Sequence, residues 1–118
     1  MLLTQDQEMI RDAVRAFAQE ELWPHAARWD KEHHFPRDAH QGLAALGAYG
    51  ICVPEDLGGA GLDYLSLALV LEEIAAGDGG TSTAISVTNC PVNAILMRYG
   101  NARQQRDWLA PLARGEML

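Results

Sequence analysis

The residues with the strongest claim to chemistry are Glu72-Glu73, four histidines, a glycine cluster and one stretch of small polar side chains. Paired carboxylates can divide general-acid and general-base work. Glu72 and Glu73, however, fall in a helical segment, where consecutive side chains point roughly 100° apart. The pair therefore reads as a solvent edge with a salt bridge. His33-His34 are adjacent, and neither they nor His25 and His40 have further ligands at helical spacing. A metal site is not expected, and the histidines read as solvated loop residues. Gly58-Gly-Ala-Gly61 has no following Lys-Ser/Thr, so it reads as a tight turn rather than a phosphate cradle. No Gly-x-Ser-x-Gly elbow and no Gly-x-Gly-x-x-Gly fingerprint is present.

The small-residue stretch is more informative. Between Thr81 and Tyr99, Ser82, Ser86, Asn89 and Asn93 recur at spacings of four, three and four. Thr83, Val87, Cys90 and Ala94 form a second stripe beside them. Pro91 lacks the amide that would reach the Val87 carbonyl, so the helix should kink there. Small side chains and a kink leave room for something to pack. The face meets solvent or a second domain, or it walls a pocket for a long thin ligand. It carries no acid, base or nucleophilic pair.

These residues must be positioned by helices. Thr4 and Gln7 have the spacing of a capping box, and Ile10, Val14 and Phe17 follow at helical intervals. This first segment reaches about Asp30, and Pro24 should end or kink it. Pro36 opens a short helix marked by Ala39, Leu43 and Leu46, which Gly47 can close. Residues 47–63 hold too many glycines for a helix, and Ile51-Cys-Val53 reads as an extended buried strip. Asp63 can cap a helix from Tyr64 to about Ala76 that is apolar nearly all round, as buried helices are. A long helix over Thr81–Tyr99 follows. Asn101, supported by Gln104, caps a last helix with Trp108, Leu109 and Leu112, which Pro111 should stop or bend. The expected fold is all-α, an orthogonal or up-down bundle of about five helices.

Composition agrees with one globular domain. The chain has 118 residues, 48% hydrophobic and 21% charged, with a formal net charge of −7. That sign is wrong for nucleic acid or an anionic membrane. No apolar run is long enough to span a bilayer. The two cysteines, Cys52 and Cys90, sit in apolar contexts and read as buried reduced thiols. Met1 is followed by polar residues without a basic leader, so a cytoplasmic location is expected.

Several stretches, in this order, resemble the N-terminal domain of the acyl-CoA dehydrogenase family. They are Leu46-Gly-Ala-Tyr-Gly50, Val53-Pro-Glu-Asp-Leu-Gly-Gly-Ala-Gly-Leu62, Leu71-Glu-Glu-Ile74, Ser86-Val-Thr-Asn89, Arg98-Tyr-Gly100 and Gln105-Arg-Asp-Trp-Leu-Ala-Pro-Leu-Ala-Arg-Gly-Glu116. The resemblance implies residues 1–113 as that helical domain and 114–118 as the start of a linker to a β domain, followed in turn by a C-terminal helical bundle. It implies FAD-dependent α,β-desaturation of an acyl-CoA thioester, with the catalytic glutamate and most flavin contacts outside this stretch.

The resemblance thus places no catalytic residue here, and FAD is not expected to bind this stretch tightly. What it assigns to the stretch is one wall of the acyl-chain pocket, on Ser82, Thr83, Ser86, Val87 and Cys90. Where many members carry His-Asn-Ser-Leu, this chain has Thr88-Asn-Cys-Pro91, so chain-length preference does not transfer. An electron-transfer acceptor and a homo-oligomer are implied for the whole protein. The alternatives are a stand-alone helical interaction module of the same fold, or a domain of a related flavin acyl-CoA oxidase or monooxygenase.

Overall fold

A computed structural model describes residues 1–118. The molecule measures 41 × 36 × 19 Å, and its short dimension is that of two helix layers. Every regular element is helical, and eight α-helical segments linked by short turns make up the bundle.

The first, α1 (Gln5–Phe17), opens with the expected capping box, Thr4 and Gln7 exchanging backbone and side-chain bonds. It runs on into a π-helical turn, Ala18–Leu22. Pro24 has no amide to extend the ladder, and the chain turns at Trp23–His25 into a separate helix, α2 (Ala26–Glu32). This break adds one helix to the expected five. His33 ends α2 in the left-handed region (φ 52°). The next helix, α3 (Arg37–Ala45), stops before Gly47, whose φ of 82° only glycine adopts freely.

Residues 48–63 form two short 3₁₀ turns joined by backbone bonds that fold the loop on itself, such as Leu62 N–H to the Ile51 carbonyl. Ile51 and Val53 are wholly buried. Ile51 is not extended, however: it is helical in φ and ψ, because the 3₁₀ turn before it carries through.

Asp63 caps α4 (Tyr64–Gly77) by accepting the Ser66 N–H at 2.8 Å. Asp78 caps α5 (Gly79–Val87) through Thr81 N–H at 2.9 Å, so this helix starts two residues earlier than expected. A second irregular segment, Thr88–Asn93, leads to α6 (Ala94–Tyr99). The last helix begins with the Asn101–Gln104 capping box as α7 (Ala102–Gln104). It passes through a π-turn, Gln105–Leu109, and finishes as α8 (Ala110–Ala113). Pro111 does not stop it. The π-turn bonds Ala110 N–H to the Gln105 carbonyl, five residues back, and this looser register just before Pro111 accommodates the ring.

The main core gathers Val14, Leu22, Leu43, Val70, Ile74 and Ile85 from α1 and the π-turn after it, α3, α4 and α5. Each such side chain contributes about 1.5–3 kcal/mol on burial. Val53, Leu109 and Ala113 form a second cluster that seats the last helix against the loop. Across the edge of the bundle Arg15 on α1 holds Glu73 on α4 with two bonds, at 2.6 and 3.0 Å. Glu73 is thus committed to a salt bridge, while Glu72 is exposed.

His40 corrects one expectation. It is not a solvated loop residue: α3 turns it inward, where it stacks on Phe35 and hydrogen-bonds the Tyr49 hydroxyl. It sits one helical turn before Leu43, a core spacing that the residue's polarity masks.

Candidate functional site

The two stripes predicted for residues 81–99 are both present, and they face opposite ways. Ser82, Asn89 and Asn93 are buried, with Ser86 half-buried beside them. Ser82 donates its hydroxyl to the Leu71 carbonyl at 3.1 Å, fastening α5 to α4. Asn89 accepts Ile51 N–H at 3.1 Å and donates to the Ala48 and Ile85 carbonyls at 2.8 and 3.0 Å. Asn93 donates to the Tyr49 carbonyl at 2.8 Å. The inward stripe is therefore occupied with the protein's own backbone.

The outward stripe is free. Thr83, Val87 and Cys90 are exposed, and Thr83 bonds only to Gly79 O of its own helix. Val87 keeps 52% of its surface open. The five residues expected to line a pocket are thus split: Thr83, Val87 and Cys90 are exposed, Ser86 is half-buried and Ser82 is buried. The thiols also divide. Cys90 is exposed rather than buried, because the helix breaks at that residue, while Cys52 is half-buried. Burial pushes the Cys52 thiol above its usual range, and Asp63 and Cys90 add to the effect.

The break is sharper than a proline kink within one helix. Cys90 leaves the helical region altogether, at φ −147° and ψ 108°, and the Cys90–Pro91 peptide is cis. Proline disfavours helical angles in the residue before it, which accounts for the position of the break. Beyond it, Val92, Ile95 and Leu96 meet Trp108, Leu112 and Met117 along an apolar groove of about 430 Å³. Sequence reading missed this groove. Its signal was the i, i+3, i+4 spacing of Val92, Ile95 and Leu96 after the proline, which marks a second apolar face.

A polar cavity of about 480 Å³ lies near the start of α5, lined by His33, His34, His40, Asp78 and Thr83 among others. No three His, Cys, Asp or Glu side chains converge there or elsewhere to hold a metal ion. The apolar groove has no charged donor for a diphosphate. A further cavity of about 420 Å³ sets Arg28 and Arg37 beside Phe17, Trp29 and Phe35.

The sequence profile described as "Acyl-CoA dehydrogenase, N-terminal domain" matches residues 4–116. The mitochondrial short-chain specific acyl-CoA dehydrogenase of Rattus norvegicus is 38% identical over 116 residues, which is 98% of this chain and 28% of that protein. Butyryl-CoA dehydrogenase from Megasphaera elsdenii superposes with a TM-score of 0.93 at 27% identity, over 100% of this chain and 32% of its own. A chain from a structure described as an electron transferring flavoprotein of Acidaminococcus fermentans superposes at 0.92 with 36% identity, covering 98% of this chain and 30% of that one. The chain thus spans less than a third of the length of these relatives.

Proposed function

This chain belongs to the acyl-CoA dehydrogenase family as an N-terminal domain, and from that we propose that it serves a whole protein that desaturates acyl-CoA thioesters with FAD. The observation that carries the reading is the free outward face of α5. Thr83, Val87 and Cys90 are small or slender, exposed, and not used by the fold. A face of this kind can lie along an acyl tail without competing with the domain's own packing. Ser86 forms its margin and Ser82 fixes it from behind.

The division of labour is one of binding. Residues 1–113 supply the wall. FAD, the catalytic base and the electron acceptor engage the rest of the protein, which joins through residues 114–118. The apolar groove from Val92 to Met117 is the surface on which those further domains would pack, since an open patch of Ile95 and Trp108 favours cover.

The test is flavin bleaching in the whole protein. Anaerobic butyryl-CoA should reduce its bound FAD, whereas the 118-residue chain alone should bind neither FAD nor acyl-CoA tightly. Micromolar FAD binding by the isolated chain, or a full-length flavin untouched by acyl-CoA of any length, would overturn the proposal.

A further inference from the structure

We infer that Asn89 and Asn93 form a clamp that sets the geometry of the α5 break, and so the position of Val87 and Cys90 on the acyl-facing surface. They would be positioning residues for chain-length selection. The inference rests on the reading of that surface as an acyl wall.

The two amides bracket the break, one residue before Cys90 and three after it. Both reach the same short turn. Asn89 takes Ile51 N–H and gives to the Ala48 carbonyl, and Asn93 gives to the Tyr49 carbonyl. All three partners are main-chain atoms, so the distances are fixed by where the backbone runs. The turn is itself packed into the core, with Ala48, Tyr49 and Ile51 almost wholly buried and the Tyr49 hydroxyl held by His40.

A continuous helix needs no such device, because its own ladder fixes the direction of every residue. Here Pro91 has no amide and Cys90 is not helical, so the ladder is interrupted at the point where the wall ends. The clamp replaces it. Asn89 also bonds the Ile85 carbonyl in the preceding turn, tying the clamp to the helix that carries Val87.

Simple packing would not select these residues. Asn93 is 1% exposed and its Oδ1 has no partner. Its Nδ2 meets the Tyr49 carbonyl at 2.8 Å, and an apolar side chain of similar size would leave that carbonyl unpaired in the core. The position thus calls for a donor aimed at the turn.

The experiment uses the full-length protein with Asn89→Ala. Hydrogen exchange at the Ile51 amide reports the clamp by itself, and should quicken by about 10-fold, the equivalent of one lost hydrogen bond. The ratio of kcat/KM between butyryl-CoA and octanoyl-CoA reports positioning, and should move by ~3-fold or more. Lowered thermal stability alone would not move that ratio. Unchanged Ile51 exchange overturns the clamp. Faster exchange with an unchanged ratio overturns the positioning role, provided Val87→Phe does move the ratio. If Val87→Phe leaves it unmoved, the wall reading has failed and this inference falls with it. Should Asn89→Ala not fold, Asn93→Ala loses a single hydrogen bond and carries the stability and ratio measurements, with exchange read across residues 48–51.

Discussion

His40 Nδ1 and the Tyr49 hydroxyl share a hydrogen bond inside the core, nine residues apart in sequence. The contact ties α3 to the turn on which the asparagines close. Both groups pay for their burial in the same currency of ionisation. Desolvation holds His40 below its ordinary range, with Asp78 opposing and Arg37 assisting, and it lifts Tyr49 from 10.0 to about 12.

Stability should consequently weaken at both ends of the pH scale. For His40 the folded pKa lies below the unfolded value, so the unfolded chain binds the proton first. Stability is full above about 6.5 and declines as pH falls from there to the folded pKa. For Tyr49 the folded value is raised, so stability is full below about 10 and is lost as pH climbs to about 12, by roughly 2–3 kcal/mol. Urea titrations across pH should show both declines. His40→Asn should flatten the acid one, and an unaltered slope in that variant would remove His40 from the account.

Val87→Phe should shorten the preferred acyl chain in the full-length enzyme. Val87 is half open, so the larger ring needs no core space and fills the surface in front of it. The expected loss of kcat/KM is ~10-fold or more on octanoyl-CoA, with butyryl-CoA nearly unaffected, because each methylene is worth about 1–3 kcal/mol in a fitted slot. Equal loss on both substrates would take Val87 off the wall.

Two glycines should respond oppositely to alanine. A Cβ on Gly59 would stand 2.1 Å from the Val53 carbonyl oxygen, which is backbone and cannot yield. Gly59→Ala should cost about 1–3 kcal/mol through overpacking. Gly79, the first residue of α5, has nothing within 4 Å. Gly79→Ala should be neutral or raise stability by about 0.4–1 kcal/mol, by restricting the unfolded chain. Thermal or urea unfolding of the two variants distinguishes them.

The thiols should label in order. Iodoacetamide meets Cys90 exposed and Cys52 half-buried with a raised pKa. Peptide mass spectrometry after short exposure at neutral pH should find the adduct on Cys90 well ahead of Cys52. Equal labelling, or Cys52 first, would mean that the break at Cys90 does not hold in solution.

Most of the fold was legible because its signals are local. Thr4, Asp63 and Asn101 cap helices as their spacing suggested. Gly47 ends α3, and the apolar periodicity of α4 matches its buried Leu67, Val70 and Ile74. What stayed hidden depends on partners distant in sequence. Nothing near His40 announces Tyr49 and Phe35 as a buried cage. Asn89 and Asn93 looked like a surface stripe, because their partners are main-chain atoms about 40 residues away and carry no sequence signature. Pro111 misled in the other direction, since a π-turn that absorbs a proline has no marker in composition. The spacing of residues 82–90 indicates the two stripes, but only packing shows that Ser82 is turned from solvent and Cys90 toward it.

The opposed faces of α5 and the segment after it have a consequence for how such a protein can diversify. The inward side is constrained by bonds to its own backbone, so drift there is punished. Val87 and Cys90 make no hydrogen bond to the rest of the domain and Thr83 bonds only within its own helix, so selection can revise them almost independently of foldability. A combinatorial library confined to these three codons would keep most of its members folded, without first engineering spare stability.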